Sequence, residues 1–266
     1  MNKTSTLITT RNGHFRVALD GLPEAPVLIL SNSLGTTLEM WDAQIESLAP
    51  HFRILRYDTR GHGESCAPDE QYSFDRLADD VLAIMDELDI PTADFCGISM
   101  GGHTGLALAI DSGERFRSIA VCNSASRIGT VQGWLDRAST VRRDGKVAMD
   151  ALAATAATRW FSPAFIVEHP GVVTVLTSTL SGISAQGYAG CCEALAYSDL
   201  TPRLPEIGLP ALFIAGALDP VTTVEQSAEM ARLVPGSTLS VIEASHLSNI
   251  EAAAAFNQCL MRFLSR

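Results

Sequence analysis

The sequence predicts an α/β fold: a mostly parallel central sheet with an antiparallel N-terminal edge and an inserted helical cap. Three observations predict it. Short apolar runs bounded by turn residues recur along the chain, as strands buried on both faces do. Segments of helical period lie between them. The alternation then stops between about Ser124 and Leu209, where helical runs follow one another with no strand-like run among them.

The elements follow in order. Thr6 to Leu19 reads as a hairpin, with Leu7-Ile8-Thr9-Thr10, a turn at Asn12-Gly13, then Phe15 to Leu19. The later apolar runs are 26–30, 52–57, 93–97, 118–122, 211–215 and 238–242. The clearest helix is Phe74 to Leu88. Leu77, Val81, Ile84, Met85 and Leu88 share one stripe, and Asp75, Asp79, Asp80 and Asp86 fall off it. Alternation after a hairpin implies a parallel sheet carrying an antiparallel edge. Trp134 to Arg143, Val147 to Trp160, Val172 to Leu180 and Gln186 to Tyr197 read as cap helices. They would lie over the C-terminal ends of the strands, where such sheets bind ligands. The expected division is a core of 1–124 and 210–266 with a cap of 125–209. The alanine-rich pieces at 151–157 and 252–255 read as close-packed helix faces.

Composition narrows the function. The 266 residues are 47% hydrophobic and 18% charged, enough to bury a sizeable core. A net charge of −11 argues against nucleic acid and anionic membrane surfaces, which demand Lys/Arg patches. An anionic substrate would therefore need a local cationic pocket. Met1 to Thr6 lacks an apolar signal core, and no apolar run is long enough for a bilayer. Cys66, Cys96, Cys122, Cys191, Cys192 and Cys259 show no Cys-x-x-Cys pairing and read as buried thiols of a reducing cytoplasm.

Gly97-Ile98-Ser99-Met100-Gly101 carries the chemistry. An apolar run ends before it and a helical run begins after it, so Ser99 falls on a strand-to-helix turn that exposes its hydroxyl at the top of a sheet. Glycines flank it because side chains there would meet the neighbouring helix and strand. The expected base is His246, just past the last strand, and the expected acid is Asp219, after the 211–215 strand, in the chain order serine, acid, histidine. The other place for an acid reads Cys122-Asn123-Ser124. An amide carries no charge to stabilise imidazolium, so the choice falls on Asp219, and removing the Asn123 side chain is not expected to cost orders of magnitude. His103, four residues after Ser99, is expected to be a packed helix histidine. The oxyanion donors are expected to be the N–H groups of Met100 and of Leu34, in Ser31-Asn32-Ser33-Leu34-Gly35. Asp58 to Ser65 holds Gly61-His62-Gly63, which lacks a dinucleotide fingerprint's third glycine and helix. No second ligand stands at metal spacing from His62, so the segment reads as a structural loop. No metal or cofactor is called for.

The arginines between 127 and 159 are candidates to hold a substrate carboxylate: Arg127, Arg137, Arg142, Arg143 and Arg159. Trp134 and Arg137 stand three apart and share a helix face that Val141 extends, while Arg143 points elsewhere. An indole beside a guanidinium suits a small flat anion.

Together these residues resemble the α/β-hydrolase family along the whole chain. Within it the sequence looks most like the 3-oxoadipate enol-lactonases of aromatic catabolism, on Ser31 to Asp42, Tyr57 to Gly63 and Gly97 to Gly102. The resemblance implies hydrolysis of a small anionic enol-lactone to 3-oxoadipate in the β-ketoadipate pathway. Relatives of broader scope, carboxylesterases and perhydrolases, share the triad, and some members of the fold bind ligands without turnover.

Overall fold

The structure, a computed structural model, describes residues 5–266; Met1 to Thr4, part of the segment read as lacking a signal core, lie outside them. Eight strands form one sheet: β1 (Ser5–Thr10), β2 (Gly13–Gly21), β3 (Val27–Ser31), β4 (Arg53–Tyr57), β5 (Ala93–Ile98), β6 (Phe116–Cys122), β7 (Ala211–Gly216) and β8 (Thr238–Ile242). Their order is β1-β2-β4-β3-β5-β6-β7-β8. β2 runs antiparallel to both β1 and β4, and the remaining pairs are parallel. The antiparallel edge is therefore the N-terminal hairpin, as expected. β5 and β7 are buried along their whole length, β5 including Asp94, which pairs with Arg117 at 2.6 Å, while β8, read from sequence as buried on both faces, alternates as an edge strand does.

The helices of the core are α1 (Asp42–Leu48), α2 (Phe74–Glu87) and α3 (Met100–Asp111) before the break in alternation. The α2 stripe packs inward through Leu77, Val81, Ile84 and Met85. One expectation for α2 fails: Asp80, placed off the stripe, is buried. The physical reason is Arg60, itself 1% exposed, whose Nε donates to Asp80 at 2.7 Å and which fixes the loop after β4. A buried carboxylate is tolerable only when paired in this way.

Five α-helices and a closing 3₁₀ turn (Thr201–Glu206) stand between β6 and β7: α4 (Val131–Asp144), α5 (Lys146–Trp160), α6 (Pro163–Glu168), α7 (Pro170–Gly182) and α8 (Ala185–Tyr197). α6, six residues long, escaped the sequence reading. α4 packs on α8, and α5 on α7. The insertion meets the core at one unusually close seam. A Cβ on Gly187 of α8 would lie 2.2 Å from Gly61 Cα, so α8 and the loop after β4 touch backbone to backbone. After β7 come α9 (Val224–Leu233), the short α10 (Ser248–Glu251) and α11 (Ala253–Leu264). The 252–255 alanines are half-buried or exposed, not close-packed; in α5 only Ala153 and Ala156 of the 151–157 stretch are buried. All six cysteines are free, but Cys66 and Cys259 are half-buried, not buried as expected. Among the described residues no helix is long and apolar enough to cross a membrane.

Candidate active site

Ser99 sits between β5 and α3 with φ 56° and ψ −116°, a conformation rare for a side-chain-bearing residue. Its neighbours hold it there. The Ser99 N–H donates to Cys122 O at 2.9 Å, and the Ser124 hydroxyl donates to Ser99 O at 2.8 Å. A Cβ on Gly97 would fall 2.2 Å from Gly101 O, and one on Gly101 2.3 Å from Ser31 O. The flanking glycines are thus required by the collisions anticipated from sequence. α3 begins at Met100, so the Met100 N–H is one of the first four of a helix and has no intrahelical acceptor.

His246 and Asp219 come together as expected. His246 Nδ1 lies 2.8 Å from Asp219 Oδ2, and both residues are buried. A carboxylate only accepts, so Nδ1 carries a proton and donates it to Asp219, which turns Nε2 toward the opposite side of the ring. Asp219 is further held by Thr222 Oγ1 at 2.8 Å and by the N–H of Val221 at 2.8 Å. Burial pushes the Asp219 carboxyl up, but the charge and hydrogen bond of His246, with the bonds from Asn123 and Val221, outweigh it and hold the pKa below its ordinary value. Ser99 and His246 line one cavity of about 380 Å³. No hydrogen bond joins them among the described residues.

Asn123 is not the acid, but it holds the acid in place. Its Nδ2 donates to Asp219 Oδ2 at 3.0 Å and to Ser245 O at 3.1 Å, and its Oδ1 accepts from Ser248. It ties the loop of Asp219 to the loop of His246. Its φ of 43° lies in the left-handed region that asparagine tolerates better than most residues, and that turn signal was available in the sequence.

His62 was likewise read as part of a structural loop. It is 1% exposed, and its Nε2 accepts the Gly35 N–H at 2.9 Å. Nδ1 therefore bears the proton and donates to Arg60 O at 3.2 Å. Burial lowers its pKa to about 4, so it stays neutral. The Leu34 loop, which lines the cavity, is thus pinned from the loop after β4. His103 is fully buried, with Nδ1 on Ala125 O and Nε2 on Ser198 Oγ, so both ring nitrogens are engaged away from Ser99.

The cavity lies between strand-end loops and the helical insertion. Ser33, Leu34, Pro220 and Val221 contribute from the former, and Ile128, Trp134, Arg137, Arg159, Trp160 and Tyr188 from the latter. No carboxylate lines it. Arg137 stacks with its guanidinium carbon 4.7 Å from the centre of the Trp134 ring, the face-sharing expected from their spacing. The Trp134 indole N–H donates to Ile128 O. Arg143 pairs with Asp144 on the outside. Sequence reasoning did not select Arg159, because it lies on α5 and no local spacing relates it to Trp134. Among the described residues no three His, Cys, Asp or Glu side chains gather as a metal site.

A sheet of this order, with a serine on a strained strand-to-helix turn and a buried His–Asp pair beyond later strands, defines an α/β hydrolase. The chain matches the alpha/beta hydrolase fold family over residues 26–253 and belongs to it. It is 47% identical over 259 residues to 3-oxoadipate enol-lactonase 2 of Acinetobacter baylyi, a match covering 97% of this chain and 96% of that relative. The enol-lactonase from Burkholderia xenovorans LB400 superposes with a TM-score of 0.95 at 41% identity, over 98% of this chain and 100% of its own. A malate-bound thermophilic esterase from Thermogutta terrifontis superposes with a TM-score of 0.89 at 26% identity, over 98% of each chain.

Proposed function

We propose that this chain hydrolyses 3-oxoadipate enol-lactone to 3-oxoadipate, as a serine hydrolase of aromatic catabolism. The observation that carries the reading is one cavity shared by Ser99, His246 and guanidinium groups without acid partners. It supports attack on a small ester that bears a carboxylate. The 47% identity to an enol-lactonase supports the particular ester.

In this reading His246 Nε2 takes the Ser99 proton as Oγ attacks the lactone carbonyl, the two side chains closing to bonding distance when substrate binds. Asp219 holds the imidazole by Nδ1 and stabilises its charge. The N–H groups of Leu34 and Met100 receive the tetrahedral oxyanion, and the helix N-terminus at Met100 adds partial positive charge. The ring opens as the imidazolium returns its proton to the enol oxygen, and water deprotonated by His246 then hydrolyses the acyl-enzyme and frees Ser99. The enol then tautomerises to the ketone. Trp134 and Arg137 hold the substrate ring and carboxylate, and the 125–209 segment acts as a cap that keeps water from the site. Six free cysteines favour a reducing compartment, and the cytoplasm is the one proposed.

The test is to incubate pure protein with 3-oxoadipate enol-lactone and follow the loss of its ultraviolet absorbance. Turnover at kcat/KM above roughly 10⁴ M⁻¹s⁻¹ is expected. Rates below those on simple neutral esters would replace the reading with a general carboxylesterase.

A further inference from the structure

Of the five arginines between 127 and 159, three are neutralised on the outside of the insertion. Arg127 pairs with Asp199, Arg142 with Glu193 and Arg143 with Asp144. Arg137 and Arg159 have no carboxylate partner among the described residues, and both line the cavity that holds Ser99. They come from different helices, α4 and α5, so no helical repeat forces them together. Like charges brought into a partly desolvated space without a counter-ion cost stability. A protein of net charge −11 has no shortage of carboxylates to offset them, yet none lines this cavity.

The immediate surroundings orient the two groups without neutralising them. Arg159 spends one N–H on Thr155 Oγ1 at 2.9 Å and another on Leu152 O at 3.2 Å, both on its own helix. The rest of its five donors are left over. Arg137 lies on the Trp134 ring, and the Tyr188 hydroxyl lines the same cavity. Burial, with Cys192 as the next cause, pushes that hydroxyl's pKa up to about 12, so Tyr188 stays neutral and cancels no charge. Burial first and the nearness of Arg137 second lower the pKa of Arg159, so the two guanidiniums are close enough to feel each other.

We infer that Arg159 is a second specificity-determining residue, which with Arg137 forms a two-guanidinium seat for one carboxylate of the substrate. This rests on the hydrolase reading of Ser99 and deepens it. The seat selects esters and lactones whose acyl part ends in a carboxylate, because that anion relieves the repulsion between the two cations as well as bonding each. A neutral ester reaches Ser99 but gains neither.

The experiment compares two 4-nitrophenyl esters of equal chain length, the monosuccinate with a free carboxylate and the neutral butyrate, in parallel with 3-oxoadipate enol-lactone. The wild type, Arg159→Gln and Arg159→Lys are assayed, with thermal melts for folding. Arg159→Gln is expected to lower kcat/KM on the monosuccinate and the lactone roughly 10- to 100-fold, the worth of a hydrogen bond to a charged group, and to leave the butyrate within about threefold. Arg159→Lys keeps the charge and should recover part of the loss. Equal losses on monosuccinate and butyrate would make Arg159 structural and overturn the inference. Lactone turnover undiminished in Arg159→Gln would overturn it too, while the proposed activity stood. If the wild type ignored the lactone but its preference for the monosuccinate collapsed in Arg159→Gln, the seat would stand and the lactone assignment would fall.

Discussion

His62 gives the sharpest test of how the loop around Leu34 is held. In His62→Ala the Gly35 N–H loses its acceptor and Arg60 O loses a donor, both in the interior. A stranded buried polar group costs about 1–3 kcal/mol, and the imidazole-sized void adds to that, so a stability loss of about 3 kcal/mol is expected. The loop then no longer presents the Leu34 N–H in one position. Removing an oxyanion donor outright costs roughly 10²–10³ in kcat, so a displaced one should cost about 10- to 100-fold. KM should change little, since Arg137 and Arg159 stand on other elements. His62→Gln, whose amide oxygen can accept from Gly35, should recover most of kcat.

The same residue sets a pH dependence. Burial lowers the folded pKa of His62 to about 4, below the unfolded value of about 6.5. Between those values the unfolded chain binds a proton that the folded chain refuses. Stability is therefore full above about pH 6.5 and falls as pH drops toward 4, by about 3 kcal/mol for this group. His103, lowered to about 4 by burial, acts in the same sense. Urea unfolding at several pH values from 7.5 to 5 should give a slope that roughly halves in His62→Gln. Asp58 and Asp80, raised by burial, oppose the trend at the acid end, so the comparison stops at pH 5. Wild-type kcat in His62→Ala, or an unchanged slope in His62→Gln, would refute the reasoning.

Other outcomes follow from the site. Ser99→Ala should fold normally and retain only residual catalysis, of roughly 10³–10⁴ over water; near-normal rates would move the nucleophile elsewhere. Asp219→Asn should lower kcat by roughly 10⁴, because the amide neither stabilises imidazolium nor fixes the tautomer. Asn123→Ala should cost about 2 kcal/mol in urea unfolding and lower kcat only about tenfold, since Asp219 keeps its other donors. Arg137→Ala should lower kcat/KM on the enol-lactone by about 2–3 kcal/mol of transition-state stabilisation and leave 4-nitrophenyl acetate nearly untouched.

What could be read without coordinates was whatever depends on neighbours in the chain. The inner strands β5 and β7 showed as short, mostly apolar runs because both their faces are buried. Ser99 showed because its turn needs glycines at fixed offsets. Asp219 and His246 showed because strand ends were predictable and chain order did the rest. The missing parts are contacts across the fold. Asn123 reaches a carboxylate 96 residues away, and His62 reaches a backbone N–H 27 residues away. Arg159 shares a cavity with Arg137 although the two stand on different helices, 22 positions apart. Asp80 was misplaced for the same reason: helical period reports the average apolar face, and a buried ion pair violates it.

The backbone contact between Gly61 and Gly187 bears on how this architecture can be re-engineered. With no side chain between them, α8 has no slack to shift against the core. Cys191, one turn along, adds its thiol to Arg60 O at 3.7 Å. Tyr188, which lines the cavity beside Arg137, lies one residue from the seam. The position of the cationic pocket is thus gauged from a fixed point on the loop after β4. Grafting a foreign insertion onto this core, or this insertion onto another, should succeed only when both glycines travel together. Libraries that vary α4 and α5 keep the reference point intact, whereas a single methyl group at residue 187 would lift the whole roof.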